Sequence, residues 1–202
     1  HNPLPRPSDG HITHQREVIL FDFLARGLAL THRPFAACEL ARASLSPTET
    51  PTLWVMMERQ CDAEIQQSLL DYARAGGRLI LTGRMCAETR HHESCTILQD
   101  GLGVQVVRRD PPFTDALIEV FGSPDIPVSF LETYSGAFDE VFAISSGGEA
   151  AGFVQPVGQG TVMMLGAALA ARTLDDLNIL DQMAQRMDCP SLFSLSDWAD
   201  VR

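Results

Sequence analysis

Apolar residues recur with two different periods along this chain, and the change of period marks the predicted elements. Residues 53–57 form a short apolar run typical of a buried strand, and residues 62–75 place apolar side chains at helical spacing. Gly76 and Gly77 end that helix, and residues 79–82 form a second apolar strand. Because a strand, a helix and a further strand close into a right-handed crossover, this stretch predicts one parallel βαβ unit.

The segments on either side continue the alternation of strands and helices. The apolar pattern predicts a helix over 14–31 and a strand over 35–40 before the unit, and a helix over 93–99 and a strand over 104–107 after it. Prolines and glycines interrupt residues 111–150, which predicts short irregular or antiparallel strands there.

The last third of the chain predicts a hairpin and a helix. Residues 152–157 and 161–165 are apolar runs joined by a Gly-Gln-Gly turn at 158–160, and a capping pattern at Thr173 begins a C-terminal helix. The whole pattern predicts a three-layer α/β sandwich with a mostly parallel sheet and the hairpin at or near one edge. Ligands of such folds usually bind at the carboxyl ends of the strands.

Length and composition favour a single acidic domain. We expect residues 1–13 to form a linker or arm, residues 14–189 the domain, and residues 190–202 an exit segment toward a following domain. The net charge of −11 argues against a nucleic-acid partner, because it repels phosphates. The chain contains no lysine, which excludes Schiff-base chemistry and a P-loop lysine.

Two further features concern location and cofactors. No apolar run reaches the roughly 18 residues that a bilayer span needs, so we expect no contact with a membrane. Five scattered cysteines indicate free thiols in a reducing compartment, which predicts a cytoplasmic location. No motif indicates a cofactor, and none is expected.

Cys86 is the candidate nucleophile. A cysteine just after a strand, at the entrance to a helix, can have a lowered pKa. The preceding Thr82-Gly83-Arg84 turn lacks the small-residue spacing of a strained elbow, and no base signature follows it. A structural or merely exposed thiol is therefore the competing interpretation.

Zinc is a second interpretation of the same region. Cys86, His91, His92 and Cys95 are metal-ligating residue types within ten positions of the chain. Their spacing matches no zinc motif, and adjacent histidines on a helix point about 100° apart. A polar loop without a metal is the preferred reading.

Two carboxylates could meet at neighbouring strand ends. Glu39 and Glu58 are the candidates for such a pair, which glycoside hydrolysis requires, but a salt bridge to Arg84 is a simpler explanation. We therefore predict Glu39, Glu58 and Arg84 as binding residues at the strand ends, with no catalytic role.

The first predicted helix is apolar around most of its circumference. Between Val18 and Leu30 the strongly polar residues are only Asp22 and Arg26. Such a helix needs cover on more than one side, either from the N-terminal arm or from another domain or subunit. We prefer the second possibility, which makes the following residues interface candidates: Leu20, Phe23 and Leu30.

Two blocks of sequence carry a family resemblance. Residues 69–82 read Leu-Leu-Asp-Tyr-Ala-Arg-Ala-Gly-Gly-Arg-Leu-Ile-Leu-Thr, and residues 157–166 read Val-Gly-Gln-Gly-Thr-Val-Met-Met-Leu-Gly. With the rest of the stretch from Arg33 to Met85, they resemble the middle domain of bacterial beta-galactosidases of glycoside hydrolase family forty-two and of similar multidomain glycosidases. The resemblance implies a flavodoxin-like, class I glutamine-amidotransferase-like fold, often called the trimerisation domain.

The resemblance also implies a function. A catalytic barrel needs roughly 250 residues, so it would lie outside this chain. The chain would then be a non-catalytic assembly domain of a beta-galactosidase-like glycoside hydrolase, with the barrel of the parent chain and further copies of itself as partners. The alternative is a stand-alone amidotransferase-like hydrolase that uses Cys86 as its nucleophile.

Overall fold

A computed structural model describes residues 24–111, 115–169 and 173–190 of the chain. These residues form four helices and nine strands. In chain order they are α1 (24–30), β1 (Thr52–Met57), α2 (Ala63–Arg74), β2 (Arg78–Gly83), α3 (Ile97–Leu102), β3 (Val104–Arg109), β4 (Ala116–Val120), β5 (Ser123–Val128), β6 (Glu132–Gly136), β7 (Glu140–Ser145), β8 (Ala150–Val157), β9 (Gly160–Leu165) and α4 (Leu174–Arg186). None of the helices in these ranges is long and apolar enough to cross a membrane.

The nine described strands belong to one mixed sheet. Its main path runs β1-β2-β9-β8-β7-β4-β5, and β6 pairs with both β8 and β3. The predicted parallel pairing of the first two strands is confirmed, with Leu53 opposite Leu79 and Met56 opposite Thr82. The β2–β9 pair is also parallel. Helix α2 makes the crossover that this arrangement requires.

The prediction of a mostly parallel sheet is wrong. Every pairing among the described strands other than β1–β2 and β2–β9 is antiparallel. Short turns join β4 to β5, β7 to β8 and β8 to β9, and a short turn connects only antiparallel neighbours. The antiparallel strands predicted within residues 111–150 are thereby confirmed.

The predicted hairpin exists, but it lies inside the sheet. Strands β8 and β9 pair in antiparallel register from Gly152 opposite Leu165 to Val157 opposite Gly160. Strand β9 continues the sheet to β2, and β8 continues it to β7 and β6. The placement at or near an edge is wrong, because a turn motif determines local pairing and carries no information about the outer neighbours of the two strands.

The strand predicted over 35–40 does not form. These residues are an irregular segment whose apolar members lie at the surface, including Phe35, which is 48% exposed. Pro34 removes one backbone donor, and the run contains no β-branched residue. The segment therefore has little preference for an extended ladder. The predicted strand over 104–107 is confirmed as part of β3.

Helix boundaries follow local chemistry. Helix α2 ends at Arg74, and Gly76, two residues later, turns the chain away with a φ of 106° that only glycine adopts readily. The capping pattern of α4 is confirmed: the Thr173 hydroxyl accepts the Asp176 N–H, and the Asp176 carboxylate accepts the Thr173 N–H. Helix α3 begins later than predicted, because residues 89–93 form a turn closed by the Thr89 N–H on the Glu93 carbonyl.

Two apolar clusters cover the two faces of the β1-β2-β9 region. One contains Leu79 and Leu81 of β2 together with α2 and α3, and the other contains Ile80 with α4. The helices therefore lie on both faces of this part of the sheet, as a three-layer arrangement requires. The clusters alternate along β2 because successive strand side chains point to opposite faces.

The described part of the first predicted helix packs against α4. Residues 24–30 are helical, and a Cβ atom added at Gly27 would lie 2.5 Å from Leu180 of α4. Just after the helix, the buried Arg33 donates to the Asp181 carboxylate at 2.6 Å. Leu30 is 60% exposed, whereas Leu20 and Phe23 lie outside the described residues. So do the predicted arm over 1–13 and nearly all of the predicted exit segment.

Candidate functional site

A cleft opens at the carboxyl end of β1, the edge of the sheet where the sequence predicts a ligand site. Its volume is ≈ 410 Å³. Its floor is apolar, from Val55 and Met57 of β1 and Ile65 of α2, and polar side chains from the β1–α2 loop and Arg90 lie around it. The loop positions these groups because it connects a buried strand directly to a helix that packs on the same sheet.

The three predicted strand-end residues have different surroundings. Glu58 lines the cleft, and its backbone carbonyl accepts the Cys86 thiol at 3.5 Å. Glu39 lies in an exposed turn and pairs with Arg42 at 3.3 Å. Arg84 donates to the Asp110 carbonyl at 3.3 Å. Of the sequence candidates, the structure thus brings Glu58 and Cys86 together at the cleft, and neither Glu39 nor Arg84 lines it.

Cys86 has the wrong properties for a nucleophile. Its side chain is fully buried, and the hydrogen bond with the Cys61 thiol, together with burial, raises the pKa of Cys86. Its backbone carbonyl is occupied by the Gln99 amide at 2.5 Å. A reactive cysteine needs the opposite, a lowered pKa and access to solvent. This geometry disfavours hydrolysis by Cys86.

The residues considered for zinc do not converge. Cys86 and Cys95 are buried, whereas His91 and His92 are exposed. The His92 Nδ1 atom lies 3.5 Å from the Glu88 carboxylate. Within the described residues no three histidine, cysteine or acidic side chains are grouped so that they could hold a metal ion.

A buried carboxylate behind the β2 turn is the main feature that sequence reasoning missed. Glu132, at the start of β6, is completely buried. It accepts the Met85 N–H at 2.8 Å, the Arg109 Nε–H at 2.5 Å and the Tyr134 hydroxyl at 3.3 Å. Arg109 also donates to the Met85 carbonyl at 3.2 Å. Glu132 and Arg109 together hold both polar groups of the Met85 backbone.

Burial dominates the electrostatics of this network. Burial raises the pKa of Glu132 above its ordinary value, while the Arg109 charge and the Met85 N–H oppose the shift. Burial and the neighbouring Glu132 also raise the pKa of Tyr134. The only sequence signal was a lone glutamate within an apolar run, and its partners Met85 and Arg109 are distant along the chain.

The Glu132–Arg109 network lies beside the turn after β2, and this position indicates a structural role. Met85 directly follows the turn after β2, and its backbone N–H and carbonyl are held by the Glu132 and Arg109 side chains. The Glu132 carboxylate is shielded from solvent and fully engaged by donors. The arrangement fixes a turn and offers no reactive group to a substrate.

A second groove lies beside this network on the outer side of the β2–α3 segment. Its volume is ≈ 500 Å³, and its charged lining consists of Arg59, Glu88, His92 and Arg109. The cationic groups in it are engaged, since Arg59 pairs with Glu88 and Arg109 with Glu132. The groove therefore presents a charge-balanced surface.

Three known proteins are similar to this chain in sequence or in fold. A curated beta-1,2-glucosyltransferase from Ignavibacterium album is 26% identical over 173 residues, which are 84% of this chain and 24% of that protein. A solved catalytic mutant of a GH42 beta-galactosidase from G. stearothermophilus superposes with a TM-score of 0.70 and 12% identity, over 86% of this chain and 26% of that chain. A cytoplasmic protein from Salmonella typhimurium superposes with a TM-score of 0.55 and 13% identity, over 81% of both chains.

The first two of these proteins are much longer than the matched region. The chain spans about a quarter of the length of each. The structural matches show a shared fold: one part of the beta-galactosidase has a strand and helix arrangement similar to that of this chain. The family model described as GLMA-like, second domain, matches residues 8–139. Because that match covers well over half of the sequence, the chain belongs to the GLMA-like second-domain family.

Proposed function

We propose that this chain is a non-catalytic assembly domain of a larger carbohydrate-active enzyme of the beta-galactosidase type. The observation that carries the proposal is the partial coverage: the chain corresponds to about a quarter of a GH42 beta-galactosidase and belongs to a family described as a second domain. In this proposal a separate barrel performs the hydrolysis. The name trimerisation domain, the amidotransferase-like ancestry and the cytoplasmic location belong to the same proposal.

The chemistry of the strand ends supports a non-catalytic role. The buried Cys86 has a raised pKa, and Glu132 is enclosed by donors. Glycoside hydrolysis needs two carboxylates that reach the substrate, one of them as an acid and the other as a nucleophile or base. At the cleft only Glu58 and Asp62 supply carboxylates from the described residues, and Asp62 is paired with Arg90 at 2.6 Å.

The surface near the first helix supports an assembly role. Leu30 and Phe35 are large apolar side chains, 60% and 48% exposed, at the end of α1 and just after it. Apolar side chains at such positions gain free energy when a partner covers them. Together with Leu20 and Phe23, Leu30 forms the proposed interface with a barrel or with a second copy of the chain.

Sedimentation velocity tests the assembly role. We expect Leu30→Asp to raise the dissociation constant of self-association by about tenfold or more, about 1.4 kcal/mol. The variant should fold normally, because Leu30 is exposed in the single chain. Leu117→Asp is the matched control, since Leu117 is also a large exposed apolar residue but lies on strand β4, outside the proposed interface.

The Leu30→Asp substitution can also be tested in the full-length parent polypeptide. If the wild-type chain stayed monomeric and Leu30→Asp left the assembly of the full-length polypeptide unchanged, the assembly role would be wrong. Phe23→Asp provides a second variant on the same predicted helix, and we expect it to weaken association in the same way.

A transferase parent is the second candidate. The curated relative at 26% identity is a beta-1,2-glucosyltransferase, so the same kind of domain accompanies glucosyl transfer. The encoding reading frame distinguishes the two candidates. We expect it to encode a (β/α)8 glycosidase barrel upstream of residue 1, whereas a transferase domain there would favour the second candidate.

A further inference from the structure

Two thiols from different loops meet at the wall of the strand-end cleft. Cys61 lies between β1 and α2, Cys86 follows β2, and both line the cleft. The two thiols are close enough for each to shift the pKa of the other. The Cys61 thiol lies 3.9 Å from the Asp62 carbonyl, and the Cys86 thiol donates to the Glu58 carbonyl at 3.5 Å. Cys61 is partly exposed, and Cys86 is fully buried behind it.

Backbone contacts hold the two loops together. The Cys61 N–H donates to the Glu88 carbonyl at 2.8 Å, and the Ala87 N–H donates to the Arg59 carbonyl at 2.9 Å. Between these bonds Gln60 and Glu88 form a parallel β-bridge. The thiols are therefore neighbours because the ladder between β1 and β2 continues into their loops.

The two sulfurs are chemically unequal. The hydrogen bond from Cys86 lowers the pKa of Cys61, although burial and the nearby Asp62 oppose the shift. The same contact and burial raise the pKa of Cys86. Cys61, the more accessible of the two, therefore gives up its proton more readily than Cys86.

We propose that Cys61 and Cys86 form a reversible dithiol–disulfide pair, with hydrogen peroxide as the oxidant, Cys61 as the attacking residue and Cys86 as the resolving residue. In the first step the Cys61 sulfur attacks a peroxide oxygen: an S–O bond forms, the O–O bond breaks, and the departing hydroxide takes a proton to become water. Cys61 is oxidised to a sulfenic acid and the peroxide is reduced.

In the second step the Cys86 sulfur attacks the Cys61 sulfur. The S–S bond forms, the S–O bond breaks, and the hydroxyl group leaves as water with the Cys86 proton. A dithiol reductant reverses the reaction by thiol–disulfide exchange. The S–S bond of about 2.05 Å requires the two sulfurs to move into covalent contact.

The disulfide would change the cleft. It would join the β1–α2 loop covalently to the segment after β2 across the wall of the ≈ 410 Å³ cavity. It would also remove both thiol groups from that wall. The oxidation state of the pair would thus set the shape and hydrogen-bonding groups of the strand-end cleft, independently of the catalytic class of the parent enzyme.

Peptide mapping of the full chain tests the proposal directly. Trypsin cleaves after arginine here, and it separates all five cysteines into different peptides. The relevant peptides are 60–74 with Cys61, 85–90 with Cys86 and 91–108 with Cys95. We expect mild hydrogen peroxide treatment of the folded protein to give a 60–74/85–90 linked peptide as the main product, and dithiothreitol to remove it.

Three single variants sharpen the test. Cys86→Ser should abolish the link and increase trapping of the Cys61 sulfenic acid by dimedone relative to wild type. Cys61→Ser should leave Cys86 reduced, and Cys95→Ser, a buried neighbouring thiol, should leave the link unchanged. Circular dichroism shows that each variant is folded.

Two results would overturn the proposal. One is a wild-type protein in which Cys61 and Cys86 still alkylate as free thiols after peroxide treatment, or in which Cys61 links mainly to Cys95. The other is dimedone labelling of Cys61 in Cys86→Ser that does not exceed its labelling in Cys95→Ser.

Discussion

At the scale of the residue, Glu132 shows how one buried charge can organise a turn. Its carboxylate receives donors from Met85, Arg109 and Tyr134 and has no exposure to solvent. A buried donor that loses its acceptor costs free energy, and a cation that loses its buried partner costs more. Stability should therefore depend on Glu132 far more than on an average surface glutamate.

Glu132→Ala should lower the free energy of unfolding by about 3 to 5 kcal/mol, because it leaves the Met85 N–H and the Arg109 guanidinium without their acceptor. Glu140→Ala is the matched control. Glu140 also pairs with an arginine, Arg186, but both side chains are over 40% exposed, so we expect a loss below about 1 kcal/mol. Urea unfolding followed by tryptophan fluorescence measures both. Equal losses would contradict the structural role of Glu132.

The pH dependence of the same residue has a defined sign. Because burial raises the pKa of Glu132 in the folded state, the protonated form is favoured by folding. Its contribution to stability is fully present below the ordinary value of 4.5 and is lost as the pH rises through the raised folded pKa. We expect the stability of wild type relative to Glu132→Gln to decline as the pH rises above 4.5. An increase over that range would show that Arg109 outweighs burial.

At the scale of the element, the β8–β9 hairpin depends on close approach to the end of α2. A Cβ atom at Gly160 would lie 2.2 Å from the Gly77 carbonyl and 2.3 Å from the Ala73 carbonyl. Both obstacles are backbone atoms, so they cannot rotate away. The glycine turn thus serves two purposes: it reverses the chain and allows the hairpin to contact the helix.

Gly160→Ala should therefore lower the free energy of unfolding by about 3 kcal/mol through overpacking. Gly148→Ala measures the cost of a left-handed backbone without any steric overlap, since Gly148 has a φ of 81° but nothing within 4 Å of an added Cβ atom. We expect that control to cost about 1 to 2 kcal/mol, from left-handed strain. Chemical denaturation measures the free energy of unfolding of both variants. If Gly160→Ala lost no more stability than Gly148→Ala, the close packing of Gly160 against the end of α2 would be contradicted.

Elements that depend on local chemistry could be predicted from sequence. The α2 stop at Gly76, the capping box at Thr173 and the hairpin turn at 158–160 are formed by residues close together in the chain. The strand predicted over 35–40 failed because a short apolar run without β-branched residues also suits a surface segment. Pairing of the hairpin strands with β2 and β7 depends on distant residues, so the local pattern could not show it.

At the scale of the whole molecule, the chain shares its fold with one part of a GH42 beta-galactosidase. It superposes on about a quarter of the length of such an enzyme. Its α2–β2 segment and its β8–β9 hairpin carry the two blocks by which the sequence resembles those enzymes. The sequence predicted where the candidate site lies, at the strand ends, but not which residues form its hydrogen-bond networks. The cleft does lie at a strand end, but the Glu132 network and the Cys61–Cys86 contact arise from residues that only folding brings together.

The central claim is that this chain performs no hydrolysis by itself, and an activity assay on the purified protein tests it most directly. We expect no release of para-nitrophenol from para-nitrophenyl β-galactoside and no ammonia from glutamine above the buffer rate. Cys86 is buried with a raised pKa, and of the two carboxylates that line the described cleft, Glu58 and Asp62, the second is paired with Arg90. Cys86→Ala and Glu58→Gln, assayed beside wild type, should be indistinguishable from it. Hydrolysis by wild type that either variant abolishes would contradict the claim.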